Sequence, residues 1–307
     1  MNCYLSTRKP EEPAKAKAIR ANSDAEVEVI RTLGHMAAET FPVDPEVVAR
    51  TKQSFVSRLF RSQLNKEAIA KKAEQELRKT PLAADAGQQI DPDWLDMFSR
   101  HAETKSNEEM QTYFARLLAG EIKKPGSFVP ATVEVLSRLT PDMARLFYRV
   151  CGISSTLHSS PGDPQLGTSA TVMVITSPYG PPGSNAFASL GLPYVRFCDL
   201  QDAGIIQGDL NSTWSPSIAA FSTNTIRCAG HPIRFQFTEG TDTTANAETI
   251  KMAACLFTRA GRELRRLIEL RPNHEYLTKL QEWLAKELRP HGLISVSDEA
   301  EAKASIE

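Results

Sequence analysis

The 307-residue sequence has no GxxxxGK phosphate loop, no GxGxxG, no HExxH and no GxSxG. The short motifs that cradle phosphates, hold a catalytic zinc or raise a nucleophilic serine on a tight turn are therefore missing. Nucleotide hydrolysis and simple metalloprotease chemistry are not expected. Long apolar runs are missing too: none reaches the ~18 residues that cross a bilayer. The charged start, MNCYLSTRKPEEPAKAKAIR, lacks the apolar segment of a signal peptide, so a cytoplasmic chain is expected. Charge of one sign is also lacking, with 36 basic against 37 acidic residues. No whole-protein field favours nucleic acid or anionic membrane, and any basic surface must be local.

Cysteine is scarce and dispersed. Cys3, Cys151, Cys198, Cys228 and Cys255 are odd in number and widely spaced, which suits reduced thiols better than a disulfide framework. Only Cys228-Ala-Gly-His231 has a metal-type gap, and Cys198 and Cys255 would have to complete the set. A second close pair, usual in structural zinc sites, is missing, so neither metal nor cofactor is expected. His158 beside Ser154–Ser160 sits in linker-like composition and does not read as a catalytic pair.

What is present is helical patterning. Pro13–Glu39 is rich in Ala, Lys and Glu on a weak apolar stripe, which reads as a helical arm over 1–40. Asp44-Pro45 announces a helix reaching about Lys79 with a break near Asn65, its stripe made of Phe55, Val56, Leu59 and Phe60. The best-specified stretch is Asp91–Leu139. Asp91-Pro92 repeats the cap signal, and Trp94, Leu95, Phe98, His101 and Ala102 share one arc. Ser106 and Glu109 fit a capping box that starts a helix with Met110, Tyr113, Phe114, Leu117, Leu118 and Ile122 inward and Arg116 and Ala119 outward. Glu121 falls inside that apolar arc, where an unpaired carboxylate is costly. Backbone amides around Ser127–Phe128 would satisfy it and pin two helices together. Lys123-Lys124-Pro125-Gly126-Ser127 reverses the chain, and PATVEVLSRL and PDMARLFYRVCGI complete a compact bundle over 41–153.

Proline and glycine then crowd 154–191, which reads as a linker or loop holding one strand at Thr171–Thr176. A helix over Pro193–Ala203, strands at 205–207, 233–237 and 253–257, and the helix TRAGRELRRLIEL follow. This order resembles a winged-helix domain over 192–290, which includes a final helix at Asn273–Leu288 and is followed by an acidic tail over 291–307. The expected class is mainly α: N-terminal helices and a helical bundle, then a winged-helix-like α+β domain. On the helix after Thr258, Arg259, Arg262 and Arg266 share a face flanked by Arg265, a row that would suit phosphate backbones, against the plainer reading of a solvated face paired to Glu263 and Glu269.

Pro92-x-Trp94 and SNEEMQTYFARLLAGEIKKPGSF resemble a bacterial family of unknown function and are similar to the related Abi-alpha abortive-infection proteins. The arm AKAKAIR and the segments NKEAIAKKAEQEL and LFTRAGREL extend the resemblance. It implies a bacterial protein with a connection to phage defence and no assigned enzymatic residues. The reading is a non-catalytic regulatory or protein-interaction component, with a protein partner or self-association. Glu121, Lys123, Lys124, Gly126, Ser127 and Phe128 form the expected partner-binding corner. Alternatives are a DNA-binding regulator using Arg259, Arg262, Arg265 and Arg266, and an enzyme whose site is assembled across domains.

Overall fold

Aspartate and proline fix where the first long helix begins. Asp44 accepts from the Glu46 amide at 2.9 Å, and Pro45 takes the first helical position, where its missing N–H costs nothing. The computed structural model describes residues 28, 32, 44–79, 89–157, 171–207, 212–223, 226–238 and 248–296, in two units, Met1–Phe60 and Arg61–Glu307. The arm expected over 1–40 lies outside the described residues except for Glu28 and Thr32, which are helical, with the Thr32 hydroxyl donating to the Glu28 carbonyl. The tail after residue 296 lies outside them as well.

Helix α1 (Pro45–Lys79) runs through Asn65 without the expected break. Asn65 is buried and works between elements: its amide donates to the Glu103 carbonyl at 2.8 Å and to Ser106 Oγ at 3.3 Å. In the first unit α1 leaves Val56, Leu59 and Phe60 exposed at 48%, 50% and 67%.

The second unit begins, after the end of α1, with four short helices: α2 (Pro92–Ala102), α3 (Glu108–Lys123), α4 (Pro130–Arg138) and α5 (Pro141–Cys151). Asp91 caps α2 and Thr140 caps α5 through side-chain acceptors. The cap of α3 is Asn107, one residue later than Ser106, accepting from the Met110 amide at 3.1 Å. Trp94 stacks on Phe98, and Phe98 meets the fully buried Phe114. Ala119 is buried, not outward, so α3 is covered over more of its circumference than one amphipathic arc predicts.

The expectation of a mainly α chain closing on a small winged-helix-like domain is overturned by a sheet with seven strands among the described residues. Strands β1 (Ser155–Leu157), β2 (Thr171–Ile175), β3 (Ser212–Trp214), β4 (Ile226–Cys228), β5 (His231–Phe237), β6 (Met252–Leu256) and β7 (Leu293–Val296) run in the order β3-β6-β2-β1-β4-β5-β7. Every neighbouring pair is antiparallel. Helix α6 (Tyr194–Asp202) is not followed by a wing, because later strands return to pair with strands laid down before it, as in Val174 opposite Cys255. The Gly/Pro-rich stretch 154–191 supplies β1 and β2 near the middle of the sheet. Four successive residues of β2, Val172–Ile175, are buried, the mark of a strand covered on both faces.

Helices α7 (Ala219–Thr223), α8 (Arg259–Arg265) and α9 (His274–Leu288) complete the unit. Tyr276 of α9, wholly buried, donates its hydroxyl to the Ile175 carbonyl at 2.7 Å and stacks on Tyr179. Phe147 of α5 packs on Phe257 with ring centroids 6.3 Å apart. Helix α8 approaches the Ile205 carbonyl so closely that a Cβ at Gly261 would sit 2.1 Å from that oxygen, so only glycine fits there. Cys228-Ala-Gly-His231 is the two-residue turn of the β4–β5 hairpin, with Ala229 and Gly230 both at positive φ. Cys228 points into the core and His231 to solvent, so the gap that looked metal-like is hairpin geometry.

Candidate functional site

The chain reversal after α3 places the residues singled out in sequence. Glu121 is 2% exposed, and its two oxygens accept from the Gly126 amide at 2.5 Å and the Phe128 amide at 3.0 Å. Of the amides expected around Ser127–Phe128, that of Phe128 is one of the two donors, and Gly126 supplies the other. A second buried carboxylate, Glu263 of α8, accepts from the Val129 amide at 2.9 Å and the Thr132 hydroxyl at 2.6 Å. It serves the start of α4, whose N-cap Val129 has no side-chain acceptor of its own. Trp94 Nε1 donates to the Phe128 carbonyl at 2.9 Å, and Arg266 donates to the Ser127 carbonyl at 3.3 Å. Ser127 N–H is taken by the Lys124 carbonyl. All four amides of 126–129 and the Ser127, Phe128 and Val129 carbonyls are thus engaged.

Phe128 closes this corner. Its ring is buried, lies under the Arg266 guanidinium at 5.1 Å, and rests against Gly120, where a Cβ would come within 2.6 Å of the ring. Ser127 is buried with it, while Lys124 and Gly126 are exposed. Of the six residues marked in sequence, Glu121, Ser127 and Phe128 therefore face inward and hold the corner.

Beside the corner opens a groove of about 330 Å³. Gly120, Ala119, Phe128, Leu267 and Ile268 provide its apolar lining, and Arg116, Lys123, Arg266, Glu76 and Glu269 its charges. Lys123 and Phe128 from one expected site and Arg266 from the other meet here. Arg116 was expected to point away from the core, and it reaches across to donate to the Leu267 carbonyl at 2.9 Å.

A family model described as "Protein of unknown function (DUF2806)" matches residues 49–281, more than half of the chain. The chain belongs to the DUF2806 family. No curated protein and no solved structure gives a significant match. The match takes in the bundle, the corner, the groove and most of the sheet of this DUF2806 protein.

Each arginine expected to face a phosphate backbone also has a contact within the molecule. Arg259 pairs with Glu263 at 3.0 Å, Arg262 donates to the Phe257 carbonyl at 3.0 Å, and Arg265 donates to Ser154 Oγ at 2.7 Å. Arg265 is pulled inward beside the Cys151 and Cys228 thiols, and burial lowers its pKa. Burial also raises both thiols, Cys228 to about 12, so they stay protonated and unreactive at neutral pH. Sequence spacing places these arginines on one helix; that Arg265 meets the Ser154 hydroxyl, 111 residues away, is a product of the fold.

Proposed function

We propose that this DUF2806 protein is a non-catalytic interaction component that associates with further copies of itself through the apolar face of α1, in a setting of bacterial antiphage defence. The observation that carries the reading is the exposure of Val56, Leu59 and Phe60 on one helix. Large apolar side chains left in water on one face mark an interaction site, and burying each would gain about 1 kcal/mol. The buried carboxylates Glu121 and Glu263 support it from the other side, since both are filled by donors that hold helices together. The defence setting rests on the resemblance of SNEEMQTYFARLLAGEIKKPGSF to Abi-alpha proteins.

Sedimentation velocity over a concentration series tests the association. The wild type should shift to a larger species as concentration rises, and Leu59→Glu with Phe60→Glu should abolish the shift. A wild type that sediments as one monomer throughout overturns the reading. Plating a phage panel on cells with and without the gene tests the setting, and equal plating for every phage would remove it.

A further inference from the structure

We propose that the groove beside Phe128 binds an acidic segment of a partner protein. This site is separate from the α1 face and does not depend on it. Arg116, Lys123 and Arg266 line the groove, and each of its two carboxylates has a cation from outside it, Glu76 having Arg116 as well at 3.8 Å. Glu76 pairs with Lys79 at 2.7 Å, and Glu269 with Arg271 at 3.5 Å. Five cations thus surround two carboxylates, in a chain whose net charge is −1.

The lining cations keep donors to spare. A guanidinium has five N–H groups. Arg266 spends one on the Ser127 carbonyl, and Arg116 spends one on the Leu267 carbonyl while lying 3.8 Å from Glu76. Lys123 has one long contact, 3.5 Å to the Glu76 carbonyl. These contacts hold the cations in place and so lower the entropic cost of binding a carboxylate. The lining between them is apolar: Ala119, Phe128, Leu267 and Ile268. A groove lined by cations together with apolar side chains matches a peptide that presents carboxylates beside an aliphatic side chain. Nucleic acid fits less well, because single strands need exposed rings for stacking. Phe128, the aromatic ring in the groove, is buried under Arg266.

The test is fluorescence anisotropy with a labelled peptide, Glu-Leu-Glu-Glu-Leu-Glu, against its Lys-for-Glu counterpart and a single-stranded oligonucleotide, using the full chain. The acidic peptide should bind, weaken as salt rises, and lose about tenfold in affinity in Lys123→Glu, because reversal replaces attraction with repulsion. Lys123 makes only the long carbonyl contact, so this variant should melt like the wild type. Arg266→Lys keeps the charge and should retain most of the affinity. Leu59→Glu with Phe60→Glu should bind the peptide normally, which separates failure here from failure of the α1 reading. No binding of the acidic peptide, equal binding of the basic one, undiminished binding in Lys123→Glu, or preferential binding of the oligonucleotide overturns the proposal.

Discussion

Removing the Glu121 side chain should cost the second unit more than any surface charge can. Glu121→Ala leaves two backbone N–H groups without acceptors, those of Gly126 and Phe128. An amide stranded away from water costs about 1–3 kcal/mol. Phe128 is buried and bears the full cost, while Gly126 is exposed and can recruit water. The sum is about 2–4 kcal/mol, and for a unit of this size each kcal/mol moves Tm by about 2–4 °C. Differential scanning calorimetry should therefore show a drop of about 5–15 °C. Glu121→Gln keeps one acceptor oxygen and turns an NH2 group toward the other amide, so its loss should fall between wild type and alanine. Hydrogen exchange at the Phe128 amide should accelerate in both. An alanine variant melting within 1 °C of wild type, by the same scale, would refute the reasoning that these hydrogen bonds pin α3 to the loop before α4.

Other outcomes follow from the same contacts. Gly120→Ala and Gly261→Ala should both destabilise, the second more, because its Cβ would meet the Ile205 backbone oxygen at 2.1 Å whereas the first meets a ring that can tilt; losses of about 1–3 kcal/mol and above are expected by chemical denaturation. Ala229→Gly should stabilise by about 1 kcal/mol, since alanine is held at φ 46° in the β4–β5 turn. Arg259→Ala should change stability by less than about 1 kcal/mol because its side chain is 65% exposed, while Glu263→Ala should cost about 2–4 kcal/mol through the stranded Val129 amide and Thr132 hydroxyl. The buried thiols titrate near 9 when unfolded, and Cys228 near 12 when folded. Their contribution is complete below pH 9 and falls as pH rises beyond it, by up to about 1.4 kcal/mol per pH unit for each. Iodoacetamide at pH 8 should accordingly leave Cys151 and Cys228 unlabelled until denaturant is added.

Local signals carried the helix starts. Asp91-Pro92, Thr140-Pro141 and Asn273 cap helices through side-chain acceptors, information contained within four residues, and Glu121 betrayed itself as a charge on an apolar arc. The sheet was hidden because its pairings are remote. β1 and β4 meet across more than seventy residues, and β2 meets β6 across about eighty. Strands of three to five residues give no periodicity to count, and the Pro and Gly around β2 imitate a linker. Glu263 was missed as a partner of the corner for the same reason. On its own helix it reads as an i,i+4 mate for Arg259, and only the fold brings Val129 and Thr132 to its other oxygen. Arg116 and Arg266 likewise looked like solvated charge until carbonyls from distant elements met them.

The central claim, association of copies through the α1 face, is tested most directly by site-directed cross-linking. Phe60→Cys, on the exposed apolar face, and Arg50→Cys, ten residues earlier on the polar side, are treated with a short bismaleimide on a background where Cys3 and Cys198 are serine. The account predicts a covalent dimer from Phe60→Cys whose yield rises with protein concentration, and only monomer from Arg50→Cys. Monomer from both, at every concentration, would contradict it.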